Sequence, residues 1–348
     1  MKKYDFAFII HPRDKQELLK SYPIFRFIPN FLLYFISPRI VGDIVYKDDK
    51  GKKLNGALIA IINLPFQFLK RDNKIKKRIL AALKLASKIG AKIVGLGSLS
   101  SPAVSGGLDI KDQSNVSITN GNALTAAVVT DDIKQLSKIV KLHKKKVHVA
   151  ILGATGSIGQ GVVHSLIGNV DSMMLIARKQ NKLDNLNNIL KEQHPDYDIS
   201  ISTSVSEAKE SDIIIVATSH YETVLSPEDV KSGAIIYDIT QPSNLKKEDW
   251  LSRDDVFVVE GGLIRIPGLH VDSITGLDNE ESFACLAETL LLVLADRTDQ
   301  DFSLGYVIQE NMKEIENIAK KYNVSSLLKA WDKDTSWGEI KRFIKNYA

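Results

Sequence analysis

Three glycines, Gly153, Gly156 and Gly159, sit between a short apolar run and an amphipathic one, and they constrain this chain more than any other feature. Residues 147–152 read as a buried strand, and residues 158–167 carry the apolar periodicity of a helix. Gly153 permits the tight turn between them. Gly156 lets backbone N–H groups approach a ligand's phosphates, and Gly159 lets helix and strand pack closely. The spacing is GxxGxxG rather than GxGxxG, but the flanking strand and helix are both present, as the motif requires. The stretch predicts a dinucleotide pyrophosphate site formed by Gly153, Thr155, Gly156, Ser157, Ile158 and Gly159.

The next strand, residues 172–177, ends in Arg178 and Lys179. A site selective for NAD would carry Asp or Glu about twenty residues after the glycines, accepting from the ribose 2′-OH. A guanidinium there can instead pair bidentately with a 2′-phosphate, so the expected cofactor is NADPH. Further short apolar strands at 199–203, 212–217, 234–239 and 256–259 alternate with helical segments. That pattern predicts an α/β fold with a Rossmann-type doubly wound parallel sheet. Ligands lie beyond the carboxyl ends of such strands. This places Thr218, Ser219, His220, residues 240–242, Gly261 and Gly262 around the nicotinamide. His220 reads equally as a catalytic group or a surface-loop histidine.

With 348 residues there is chain enough for two domains. The single cysteine, Cys285, excludes an intrachain disulfide framework and a Cys-based zinc cluster, and fits a reducing cytoplasm. No metal-ligand cluster is visible. The net charge of +4 is too diffuse to indicate nucleic acid. The first apolar run is too short for a signal peptide, and no run reaches transmembrane length.

Ahead of the glycine turn, strands are expected at 4–10, 41–46, 56–63 and 92–96, a smaller α/β substrate domain. Residues 21–40 are unusually apolar and aromatic but broken by Pro23, Pro29 and Pro38. They suit the wall of an apolar pocket, with Ile28 and Phe31 as lining residues, or an interfacial segment in peripheral membrane contact. The helix expected over 72–89, closed by Gly90, is basic in its first half, either a solvated face or a landing site for an acidic partner. The small-residue loop at 95–107 suits backbone approach to a ligand. Asn120-Gly121 reads as a turn, with Asn122 as N-cap of a helix running to about residue 143.

The expected organisation is a substrate domain over 1–122, a linking helix over 123–145, an NADP-binding domain over 146–276 and a helical segment over 277–348. The cleft is expected near 119–125, with Asn120 and Asn122 toward the substrate. In the last segment Asp278 and Glu281 make a capping-box pattern for a helix with Phe283, Leu286, Leu290, Val293 and Leu294 on its core face. Cys285 then lies beside Glu281 and Glu288. A lone helical cysteine is ordinarily a small buried hydrophobe, and two carboxylates raise a thiol's pKa.

Several segments together resemble the long-chain acyl-[acyl-carrier-protein] reductases of cyanobacteria: HPRDKQELL, SPRIVGDI, ITNGNALTAAVV, GATGSIG with ARKQNKLDNL, VEGG, and SFACLAETLLLVL. They are spread up to about residue 323, leaving 324–348 as an added helical tail. The resemblance implies that Cys285 takes an acyl group from an acyl-carrier protein or coenzyme A thioester. The acyl-enzyme is then reduced by NADPH to a fatty aldehyde. It makes Glu288 the candidate for proton transfer, the 25–36 segment a candidate acyl tunnel and the basic 70–78 region a carrier docking face. The alternatives are a shikimate-dehydrogenase-like NADP-dependent carbonyl or alcohol dehydrogenase and a non-catalytic NADPH- or acyl-binding protein.

Overall fold

Runs rich in Ile, Val and Ala form fifteen strands in the computed structural model, which describes residues 2–218, 225–241, 243–272 and 276–347. In chain order they are β1 (Phe6–Ile10), β2 (Arg39–Lys47), β3 (Lys53–Ala60), β4 (Ile93–Leu96) and β5 (Ser117–Thr119). Then come β6 (His148–Leu152), β7 (Ser172–Ile176), β8 (Asp198–Ser202), β9 (Ile213–Val216) and β10 (Ile235–Asp238). The last are β11 (Phe257–Arg265), β12 (Leu269–Val271), β13 (Glu281–Phe283), β14 (Ser325–Ala330) and β15 (Lys333–Asp334). The chain divides into two units, Met1–Thr125 with Ile264–Ser325, and Ala126–Leu263 with Ser326–Ala348.

The first unit holds a six-stranded sheet in the order β12-β2-β3-β1-β4-β5. Strands β3, β1, β4 and β5 run parallel, and β2 and β12 add an antiparallel edge. Helix Asn73–Lys88 buries Ile75, Ile79, Ala82, Leu83 and Ala86 in a core shared with Ala7, Ile9 and Val94. Those positions recur at the helical period and form one stripe, with Lys74 and Lys77 exposed. Asp72 caps the helix, accepting from Lys74 N at 3.0 Å and Ile75 N at 2.9 Å, and Gly90 follows it with φ +92°. A second helix, Ala284–Leu294, is apolar nearly all round and almost wholly buried. It lies so close to β4 that a Cβ on Gly95 would collide with the Thr289 hydroxyl and the Phe8 ring.

The second unit is the expected doubly wound sheet. Strands β8, β7, β6, β9, β10 and β11 lie side by side in that order and pair in parallel from β8 through to β11. Numbered within the unit, this is the 3-2-1-4-5-6 order of a dinucleotide-binding fold. Strands β14 and β15 extend it past β11.

Two expectations are corrected. The segment 277–348 is not helical throughout: residues up to Ser325 belong to the first unit, and Ser325–Ala330 and Lys333–Asp334 form strands before helix Trp337–Tyr347. The helix carrying Cys285 starts at Ala284 rather than after Asp278, because β13 occupies 281–283. Helix Asn122–Lys141 runs across the division, its first turn in the first unit and the remainder in the second.

Candidate functional site

The glycine turn stands where the strand order of the second unit reverses, between the carboxyl ends of β6 and β9. Gly153 has φ +88°, and a Cβ there would collide with the carbonyl of Ala217, just beyond β9. A Cβ on Gly159 would collide with the Gly153 carbonyl, so helix Ser157–Leu166 can start this close only with glycine there. Gly156 is the cap residue of that helix, and its own N–H closes the turn onto Gly153 O at 2.8 Å. What faces a phosphate is the amino end of the helix. Its first helical bond runs from Gln160 N to Gly156 O at 2.9 Å, so the amides of residues 157–159 have no acceptor within the helix. The cap residue is Gly156, which has no side chain of its own to offer these amides.

Arg178 and Lys179 follow β7 directly beside that turn, because Gly153 N and Ala154 N both donate to Ile176 O, at 2.8 and 3.2 Å. Both are exposed, and neither forms an ion pair with the described residues. A turn whose Gly153 and Gly159 leave no room for a Cβ, a helix amino end whose cap residue is glycine and a cation at the end of the second strand fit a nicotinamide dinucleotide with a 2′-phosphate. Ser219, His220 and Pro242 lie outside the described residues. Thr218 follows β9, as expected. Gly261 and Gly262 do not form a loop beyond a strand, because β11 runs through both. A Cβ on Gly261 would collide with the Tyr237 ring, which supplies a packing reason for that glycine.

In the first unit, Cys285 is the second residue of helix Ala284–Leu294 and is partly exposed. The Asn120-Gly121 turn crosses directly over it. Gly121 has φ +73°, and a Cβ there would lie 2.5 Å from Cys285 Cα and 2.7 Å from its carbonyl oxygen. One helical turn on, Glu288 is fully buried. It accepts from the Thr119 hydroxyl through one oxygen and from Leu124 N at 2.7 Å through the other. Its carboxyl thus caps helix Asn122–Lys141 from another element. Burial nevertheless dominates and pushes its pKa up to about 7, against the hydrogen bonds from Thr119 and from the amides of Leu124, Gly121 and Ala123. Burial and then the Glu288 charge push the Cys285 thiol up to about 12, partly opposed by the helix-end amides. Glu281, the other expected carboxylate neighbour, precedes the helix and pairs with Arg265 at 3.6 Å. The TNGN segment signalled this cluster, but nothing in the sequence marked Thr119 or Gly121 as its contacts.

The substrate assignments fare less well. Asn120 is buried, donates to the carbonyls of Gly106 and Gly305 at 3.4 and 3.3 Å, and accepts from Asn122 N at 3.0 Å. Its amide is engaged in tying loops together. Asn122 is the first helical residue rather than the cap. Within the 25–36 segment Phe25 and Leu33 are the buried residues, Ile28 leans on their cluster, and Phe31 is 64 % exposed, so Phe31 lines no pocket. The cavity beside this segment, lined by Ile10, His11, Leu18, Tyr22, Val41 and Ile62 among others, measures about 70 Å³. That is well short of the roughly 300–1,000 Å³ of a small-molecule pocket. Among the described residues no group of three His, Cys, Asp or Glu side chains is placed to hold a metal, and no helix is long and apolar enough to cross a membrane.

The shikimate / quinate 5-dehydrogenase family model matches residues 133–260, most of the second unit. The chain is 26% identical over 253 residues to the aminotransferase PigE of Serratia sp., a match covering 71% of this chain but only 29% of that longer protein. It is 28% identical over 276 residues to a long-chain acyl-[acyl-carrier-protein] reductase of Synechococcus elongatus, covering 73% of this chain and 77% of the relative. A solved quinate dehydrogenase from Corynebacterium glutamicum in complex with NAD aligns over 84% of this chain and 99% of its own, at 10% identity and a TM-score of 0.39. The dinucleotide unit of this chain is thus similar in sequence to that of the shikimate / quinate 5-dehydrogenases, and the chain spans 29% of the first of these curated relatives and 77% of the second.

Proposed function

We propose that the protein reduces a fatty acyl thioester, carried by acyl-carrier protein or coenzyme A, to a fatty aldehyde through an acyl group held on Cys285. The observation that carries this reading is the cluster of Cys285, Glu288, Thr119 and Gly121. It joins two segments distant in sequence, and both belong to the stretches that resemble the acyl-[acyl-carrier-protein] reductases.

A thiol held near pKa 12 is almost entirely protonated at neutral pH, so its attack on a thioester needs a base. Glu288, poised near 7, is ionised often enough to accept that proton and acidic enough to return it. In the first step the Cys285 sulfur bonds to the acyl carbon, and the bond from that carbon to the carrier's sulfur breaks. The proton passes through Glu288 to the departing carrier thiolate. NADPH, when bound, supplies a hydride to the acyl carbon. Cys285 then leaves the reduced carbon as a thiol with a proton from solvent, releasing the aldehyde. The sum is acyl thioester, NADPH and a proton giving aldehyde, NADP⁺ and the carrier thiol. The residues placed at the glycine turn, with Arg178 against the 2′-phosphate, would orient the cofactor.

Incubation with a long-chain acyl thioester in the absence of NADPH should leave an acyl adduct on the peptide containing Cys285. An unmodified protein by intact mass, together with full aldehyde production by Cys285→Ala, rules the mechanism out. The second reading is a dehydrogenase that reduces a carbonyl directly. It is favoured by the family model matched over residues 133–260 and by the raised thiol, and it predicts turnover indifferent to alkylating reagents.

A further inference from the structure

Residues 23–35 put more apolar side chain into water than a solvated surface accounts for. Two short 3-10 turns, Pro23–Phe27 and Asn30–Phe35, anchor through buried Phe25 and Leu33 with Tyr34 partly buried, and present Ile24, Phe27, Phe31 and Phe35 outward. Ile24 is 69%, Phe27 83%, Phe31 64% and Phe35 76% exposed. Single exposed hydrophobes need no explanation, but four of this size within twelve residues form an interaction surface.

The charges around this face are one-sided. No acidic residue occurs between Lys20 and Arg39. Three exposed cations stand at its rim: Arg39 over the Tyr22 ring at 5.8 Å, Lys70 over Phe66 at 5.8 Å and Lys74 over Tyr34 at 5.6 Å. Gln67 donates to Asn30 O at 3.0 Å, and the Arg78 guanidinium to Ile36 O at 3.4 Å, so the basic helix end lies against the apolar turns. The carboxylate of Asp72 nearby is occupied by its own helix amides and the Tyr34 hydroxyl.

We propose that this face docks on an anionic lipid bilayer, with Phe27, Phe31 and Phe35 entering the interface and the cations meeting headgroup phosphates. Apolar tips backed by cations at their base match the layering of a bilayer surface, apolar below and anionic above. A second copy of the chain would set one basic rim against another. An acidic carrier would answer the cations but leave the phenylalanines in water. Binding is interfacial, since no helix of the described residues can cross a membrane. The inference is independent of the thioester reading.

The test is flotation of the whole protein with vesicles of phosphatidylcholine alone, and of phosphatidylcholine and phosphatidylglycerol in equal parts. Wild type should float with the anionic vesicles and lose roughly fivefold in partitioning for each of Arg39, Lys70 and Lys74 changed to Ser. The variant Phe27→Ser/Phe31→Ser/Phe35→Ser keeps every charge and removes only exposed side chains. It should lose roughly a hundredfold, with its thermal melt and NADPH binding unchanged. Failure of wild type to float overturns the proposal, as does undiminished flotation of the triple variant. So does a wild type that ignores vesicles while the triple variant loses self-association or acyl-carrier-protein binding, since the face is then a protein interface.

Discussion

Replacing Glu288 by Gln separates burial from hydrogen bonding as the determinant of this group's charge. In the folded protein the carboxyl titrates near 7, above its ordinary value of 4.5. Below pH 4.5 it is protonated whether the chain is folded or not, and it costs nothing. As pH rises toward 7 the unfolded chain ionises Glu288 while the folded chain does not, so stability falls across that window and levels off above it. The full loss is about 3 kcal/mol at 1.36 kcal/mol per unit, of which roughly 2.5 falls between pH 5 and 8. Gln titrates in neither state. Its oxygen can accept from Leu124 N, and its NH₂ can donate to the Thr119 hydroxyl, so the local bonds survive in altered polarity. The urea-unfolding free energy of Glu288→Gln should therefore gain about 2.5 kcal/mol on wild type in going from pH 5 to pH 8. A pH-independent difference would mean that Glu288 is not perturbed. A difference of opposite sign would mean that the helix-end amides hold it ionised and outweigh burial.

Two further substitutions probe the two candidate sites. Gly121→Ala should destabilise by about 2–4 kcal/mol in urea unfolding, from left-handed strain plus collision with Cys285, whereas Gly51→Ala should cost only about 1. Gly51 is the apt control, since it shares a positive φ of +85° but has nothing within 4 Å of a Cβ. An equal cost for the two would remove the close approach of the Asn120-Gly121 turn to Cys285. Arg178→Ala should weaken NADPH binding about 10–100-fold in a fluorescence titration and leave NADH nearly unaffected, as loss of a charge-assisted pair requires. Parallel losses for both cofactors would mean that Arg178 does not read the 2′-phosphate.

What could be read from the chain alone was what short-range physics decides. The glycine turn, the doubly wound parallel sheet and the amphipathic helix Asn73–Lys88 follow from turn sterics and periodicity, and they appear where expected, whereas the strand order did not show in the sequence. The failures share a cause: a contact from a distant segment outweighed a local signal. The capping pattern at Asp278 and Glu281 is real, since Glu281 accepts from Asp278 N at 3.2 Å. Yet Ile266 N donating to Glu280 O at 2.7 Å, and Glu280 N to Leu269 O at 2.8 Å, hold Glu280 in a turn with φ +67°, β13 follows it, and the helix waits until Ala284. Gly261 looked like a loop residue because the room it makes is for Tyr237, more than twenty positions away. The apolar 23–35 run was legible as hydrophobic but left open between pocket wall and interfacial segment, because hydrophobicity does not encode which partner covers it.

The same reasoning bears on Cys285. Its helix neighbours alone argue for an inert buried thiol, and its raised pKa agrees. What distinguishes it is brought by the chain far upstream. Thr119, 169 positions before Glu288, binds the carboxylate one turn from the sulfur, and Gly121, having no Cβ, lets the upstream turn pack directly on the Cys285 backbone. A merely structural cysteine would not need a buried carboxyl poised near 7 beside it, since an apolar residue would fill that space without the desolvation cost. Retention of an ionisable group at that cost is what makes the cluster a candidate for proton transfer rather than for packing.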